Sequence, residues 1–208
     1  MHRMILALAI VFTTPAVAAA DDEFDPSTVS VTDAINCYLD VPTYNAFALS
    51  VTGEGGEAEA RGWQKVGSAN PFLAEYALPE PVAITGDWIT SRIAFSSSGI
   101  LAILDVADPK VIAVTEGIAN EMDPEPLVDA IVASGKASRG EVEAEITFRK
   151  FLGQRVLIDE TEPAKTPDDY GTHTVIARSI SNVASHPGKT LYGCSYRIEL
   201  LDAQGKPI

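Results

Sequence analysis

Asp168, Asp169 and His173 place two carboxylates and an imidazole within six residues, the best polar cluster in the chain for chemistry. Such a set could hold a metal ion or shuttle a proton. It also lies beside Pro167 and Gly171, where aspartate is favoured simply as a turn former. Asp159, Glu160 and Glu162 form a second acidic group and read as a solvated strand end. These three positions, His173, Asp168 and Asp169, are the only weak catalytic candidates, with His173 the first choice for a base.

Other local patterns lack a part their chemistry requires. Gly188-Lys189-Thr190 ends like a phosphate-binding loop, but Val183 stands where the leading glycine is needed and a strand follows. Ser96-Ser97-Ser98-Gly99 has neither the leading glycine nor the following helix of a nucleophile elbow, and reads as a hairpin loop. No Ser-x-x-Lys occurs. Trp63 and Trp88 could line a ligand platform, though packing at the core boundary is the plainer role. Cys37, Cys194, His173 and His186 show none of the usual zinc-ligand spacings, so no metal site and no cofactor site are assigned.

The two cysteines, Cys37 and Cys194, are most simply one disulfide if the chain folds where thiols oxidise. The compartment is read from residues 1–20. Arg3 gives a basic start, Ile5 to Phe12 an apolar run, and Ala16 to Ala20 a small-residue cleavage zone. The run is far shorter than the roughly 20 residues that span a bilayer. The reading is a signal peptide over 1–20, cleaved near Ala20, and a single exported α+β domain over 21–208. None of the five asparagines lies in a glycosylation sequon, which favours a periplasm over a eukaryotic secretory route.

The elements that must position these groups follow from periodicity. Ser30 or Thr32 caps a short helix that carries Cys37 and ends at Val41-Pro42. Phe47, Leu49 and Val51 alternate as in a strand, with helix as the alternative over Tyr44 to Leu49. Gly53 to Ala60 reads as a loop, Trp63 to Val66 as a short strand, and Leu78 to Pro81 as a surface connection. Val82 to Ile84, Arg92 to Phe95 and Ile100 to Leu104 are strands. Asp108-Pro109 opens a helix over Lys110 to Glu116 that Gly117 stops, and Asp123 caps another over Pro124 to Ser134. Val142, Ala144, Ile146 and Phe148 alternate with charges and read as a half-buried strand. Leu152-Gly153 turns it back into Arg155 to Ile158, and a surface loop covers Thr161 to Gly171.

Thr174 to Val183 and Leu191 to Leu201 then form a hairpin about His186 to Lys189. Centring its turn on Pro187-Gly188 pairs Val183 with Tyr192 and Ser181 with Cys194. The fold class is therefore α+β: an antiparallel sheet with a C-terminal meander, packed with two or three short helices.

The formal net charge of −14 argues against a nucleic-acid partner and against docking on anionic lipid, and favours solubility. Cleavage would leave no stable membrane anchor. The reading is an exported, soluble, non-catalytic protein, a periplasmic or secreted binding or envelope-accessory module, with a protein or small molecule as partner. Two alternatives stand beside it. One is a small secreted hydrolase whose residues are dispersed in sequence. The other is a partner-binding protein such as an inhibitor or assembly factor, working through an exposed strand edge or apolar groove.

Overall fold

A computed structural model of the chain describes residues 24–122, 124–145, 151–166 and 169–208. Residues 1–20, expected as a signal peptide, Asp123, Asp168 and residues 146–148 of the strand expected over 142–148 lie outside them. After a 3-10 turn at Pro26–Thr28 come α1 (Val31–Ile35), α2 (Val41–Ser50) and α3 (Glu57–Ala60). Strands β1 (Gln64–Val66), β2 (Ala74–Ala83), β3 (Ile89–Phe95) and β4 (Gly99–Leu104) follow. Three helices come next, α4 (Lys110–Glu116), α5 (Glu125–Ala133) and α6 (Arg139–Glu145). The chain ends with the long strands β5 (Phe151–Glu162), β6 (Gly171–Asn182) and β7 (Thr190–Leu201). The strands make one antiparallel sheet in the order β1-β2-β3-β4-β7-β6-β5. The α+β class and the C-terminal meander are as expected from periodicity. Among the described residues no helix is long and apolar enough to cross a membrane.

Capping decides most helix boundaries. The Ser30 hydroxyl accepts from the Asp33 N–H at the start of α1. Asp108 accepts from the Lys110 N–H, and Gly117 closes α4 in the left-handed region at φ 65°. At α1 the residue past the C-cap is Cys37, itself at φ 63°. The Tyr38 N–H reaches back to the Asp33 carbonyl at 2.9 Å. That is a Schellman stop with a cysteine where glycine is usual.

Several expectations are corrected. Val41-Pro42 starts a helix rather than ending one, because Asp40 accepts from the Thr43 N–H at 2.7 Å and proline is tolerated in a first turn. The segment expected as a strand at Phe47 to Val51 is the body of α2. Its Tyr44, Phe47 and Val51 are buried at helical spacing. Within the loop expected over Gly53 to Ala60, Glu57–Ala60 winds into a helical turn braced by the Arg61–Glu57 ion pair.

β2 runs through Leu78 to Pro81, its register shifting between Ala77 and Val82 so that Pro79 and Pro81 need donate no ladder hydrogen bond. Where alternation predicts a strand from Val142, Arg139–Glu145 is helical. Glu141 accepts from the Ser138 N–H while the Ser138 hydroxyl accepts from the Glu141 N–H, a capping box that overrides the period-two pattern. Leu152 and Gly153 are not a turn but part of β5, which runs on through Glu162 into the expected loop.

The β6–β7 register is also corrected. Tyr192 faces Ile180, and Cys194 faces Arg178 rather than Ser181. The connection is wider than a Pro-Gly turn, with the His186 N–H bonded to Val183 and the Lys189 N–H to His186. The slip is three residues, an odd number, so β6 turns its other face to the core.

The core lies between α1 and α2 and one face of the sheet. Ile35, Tyr44 and Phe47 pack with Tyr76, Ile93, Phe95, Ile100, Ile176, Ile180, Tyr192 and Tyr196. Tyr44 stacks on Tyr196 with ring centroids 4.1 Å apart, and the Tyr196 hydroxyl donates to the Ala34 carbonyl at 2.7 Å. Burial pushes both phenols well above their ordinary pKa. The expected disulfide joins Cys37 to Cys194 across this layer, with Cα atoms 5.3 Å apart.

Candidate functional site

His173 is half-buried on β6, between β5 and β7. Its Nε2 meets Asp159 on β5 at 2.8 Å, and its Nδ1 lies 3.5 Å from Glu199, its direct partner on β7. The hydrogen bond to Asp159, then that to Glu199, raises its pKa above the ordinary histidine value. Asp169 does not join it: its carboxylate accepts from the Tyr170 N–H, and its own N–H is bonded to the Thr166 carbonyl. Asp168 lies outside the described residues. Glu160 and Glu162 are exposed on β5.

The remaining sequence candidates are structural. Ser96 and Gly99 close the β3–β4 hairpin through the Ser96 N–H. Lys189 pairs with Asp105, while Thr190 donates to the Val106 carbonyl. Trp63 packs among Phe47, Tyr76 and Phe95 with the Arg61 guanidinium over its ring. Trp88 packs against the core. Among the described residues no group of three or more histidine, cysteine, aspartate or glutamate side chains could hold a metal ion.

Two polar assemblies were not evident from the sequence. The first sits in the core. Glu116, at the end of α4, pairs with Arg178 of β6 at 2.5 Å and faces Arg155 of β5 at 3.5 Å. The Tyr192 hydroxyl donates to it at 3.3 Å, as does Thr85. Arg178 also donates to the Asn36 carbonyl at 2.8 Å, tying the sheet to the end of α1. Glu116, Tyr192 and Asn36 are buried and Arg178 nearly so, while Arg155 reaches solvent, so this assembly specifies packing.

The second opens to solvent. Glu75 is the one acidic residue in the first half of β2, between the alternating apolar positions, and its side chain is fully buried. Its Oε1 meets His186 Nε2 at 3.0 Å, and Arg92 on the neighbouring β3 lies 2.6 Å from Oε2. The Arg92 guanidinium also donates to the Gly67 carbonyl. The His186 ring is held on its other side by Ser185, whose Oγ lies 2.9 Å from Nδ1.

These residues line a cleft of about 410 Å³ together with Ser91, Asp105 and Lys189. A carboxylate is costly to bury without a partner. Here Arg92 compensates the charge and the imidazole takes the remaining oxygen. With Nε2 against a carboxylate, the ring proton belongs on Nε2 and the Nδ1 lone pair is presented to the Ser185 hydroxyl.

Only a weak signal for this site is present in the sequence. Glu75 interrupts an apolar strand, and His186 lies in a turn 111 positions away. Nothing in either segment names the other. No protein-family model, curated protein or solved structure matches the chain.

Proposed function

We propose that the chain is an exported binding or envelope-accessory module whose ligand, a small polar molecule, occupies the cleft between β2, β3 and the β6–β7 turn. The observation that carries this reading is Glu75, a carboxylate with no exposed side-chain surface, held between Arg92 and His186 at an open cleft. Charged side chains buried at the wall of a concavity, rather than in the packed interior, are the usual mark of a ligand site. Export is supported by the leader pattern of residues 1–20 and by the Cys37–Cys194 bond.

One measurement addresses both parts. Native mass spectrometry of the protein from the periplasmic fraction of its host should give a chain beginning at Asp21, two hydrogens lighter than its reduced form, carrying a small non-covalent ligand. The ligand should be absent from a folded Glu75→Gln, Arg92→Met double variant. Full-length, reduced protein confined to the cytosol would overturn the export reading. A ligand equally retained by the double variant, or a wild type that binds nothing from a polar metabolite library, would overturn the cleft as its site.

A further inference from the structure

We infer that Ser185 is a nucleophile, with His186 as its general base and Glu75 as the residue that positions the base, and that the cleft transfers acyl groups from carboxylic esters. The inference rests on the cleft being the ligand site and adds chemistry to it. Three features carry it together. The Ser185 Oγ is within hydrogen-bond reach of Nδ1 at 2.9 Å. The opposite ring nitrogen is within reach of a carboxylate at 3.0 Å. That carboxylate is fully buried and charge-compensated by Arg92, whereas Ser185 is on the wetter side, lining the cleft.

This is the general form of an activated nucleophile: a hydroxyl, a base that accepts its proton, and a third group that orients the base. The ring is used in the reverse sense of the familiar serine hydrolase arrangement, Nδ1 toward the serine and Nε2 toward the acid. The reversal follows from Ser185 and His186 being adjacent in the chain. The main chain fixes the base, since the His186 N–H is bonded to Val183 and its carbonyl accepts from Lys189.

The step balances without a further reagent. Ser185 Oγ bonds to the ester carbonyl carbon as its proton passes to His186 Nδ1. The carbon–oxygen bond to the alcohol then breaks, and the same proton leaves on that alcohol. Water repeats the sequence to release the acid and restore the hydroxyl. Arg92 and Lys189 line the same cleft, each already paired with a carboxylate, Glu75 and Asp105, and are the cationic donors nearest the oxyanion formed at each addition.

An alkyl fluorophosphonate tests this on the mature, disulfide-bonded protein. The Oγ–P bond forms, the P–F bond breaks, and the serine proton departs with fluoride. The expected result is a single adduct on Ser185 by peptide mapping, absent in Ser185→Ala, a substitution at a half-buried turn position that leaves the fold intact by near-UV circular dichroism. His186→Asn should slow labelling by about 100-fold or more. Glu75→Gln should change the pH profile of the labelling rate, with partial recovery in Glu75→Asp.

No adduct on the wild type, equal labelling of Ser185→Ala, or unchanged labelling of folded His186→Asn would overturn the inference. Failure here with the native ligand still bound by Ser185→Ala would remove the nucleophile and leave the binding module standing. Labelling without any ligand bound would do the reverse.

Discussion

Cys37 and Cys194 bond the left-handed stop of α1 to the central strand β7, across 157 positions of sequence. The bond lies against the buried face of the sheet, with Cys194 1% exposed. Constraining so long a loop in the unfolded chain stabilises the fold by roughly 4–5 kcal/mol in the chain-entropy account. The double substitution Cys37→Ala, Cys194→Ala should lower the free energy of unfolding by about that amount in guanidinium titrations. A loss under about 1 kcal/mol would show that the bond does not hold the native arrangement.

The Glu116–Arg178 pair gives a second expectation. Its side chains are 8% and 11% exposed. Arg178→Met leaves the carboxylate with Arg155 at 3.5 Å as its nearest cation. The cost expected for stranding a buried charge is about 3–5 kcal/mol. Replacing both partners, as Arg178→Met with Glu116→Leu, should recover most of it, because the remaining groups are hydroxyls, a backbone carbonyl and Arg155, which reaches solvent. Urea midpoints of the single and double variants check this. A double variant no more stable than Arg178→Met would contradict it.

His173 gives a pH dependence whose sign is set by its partners. Asp159 first, and Glu199 second, favour the imidazolium in the folded chain, so its folded pKa lies above the ordinary histidine value. The contribution to stability is present in full below the unfolded midpoint and disappears as pH rises through the higher folded one. Because the pair is exposed, the effect on stability is small. The imidazole titration followed by NMR should show a midpoint above 6.5, and Asp159→Asn should lower it. An unchanged midpoint in that variant would rule out the pairing.

Much of the fold is legible in local signals. The Asp108-Pro109 opening and the Gly117 stop bound α4 without any tertiary help. The alternating or continuous apolar runs locate β3, β4, β6 and β7, and the isolated cysteine pair is bonded as expected. Other choices were settled by a partner a few residues away. Pro42 can end one helix or open the next, and the Asp40 cap decides in favour of opening. Glu141 reads as the outward face of a strand until Ser138 bonds to it from both directions.

The remaining errors depend on distance. The β6–β7 register turns on the width of one connection, and an odd slip moved Ile176 and Ile180 into the core in place of Ala177, Ser179 and Ser181. Gly193 is part of the same geometry: a Cβ there would stand 2.0 Å from the Ile100 carbonyl oxygen, so β4 and β7 approach more closely than any side chain allows. The site was illegible for a related reason. Burial of Glu75 is tolerable only because Arg92 and His186 come to it, and neither local pattern carries that information.

The order of the sheet leaves its two halves dependent on one strand. β7, which follows all the others in the sequence described, stitches the β1–β4 half to the β5–β6 half. It also brings Cys194, and the turn before it brings Ser185 and His186. The β1–β4 half and the β5–β6 half therefore meet only through β7, and their joining is a long-range event made by the segment that also carries half of the disulfide.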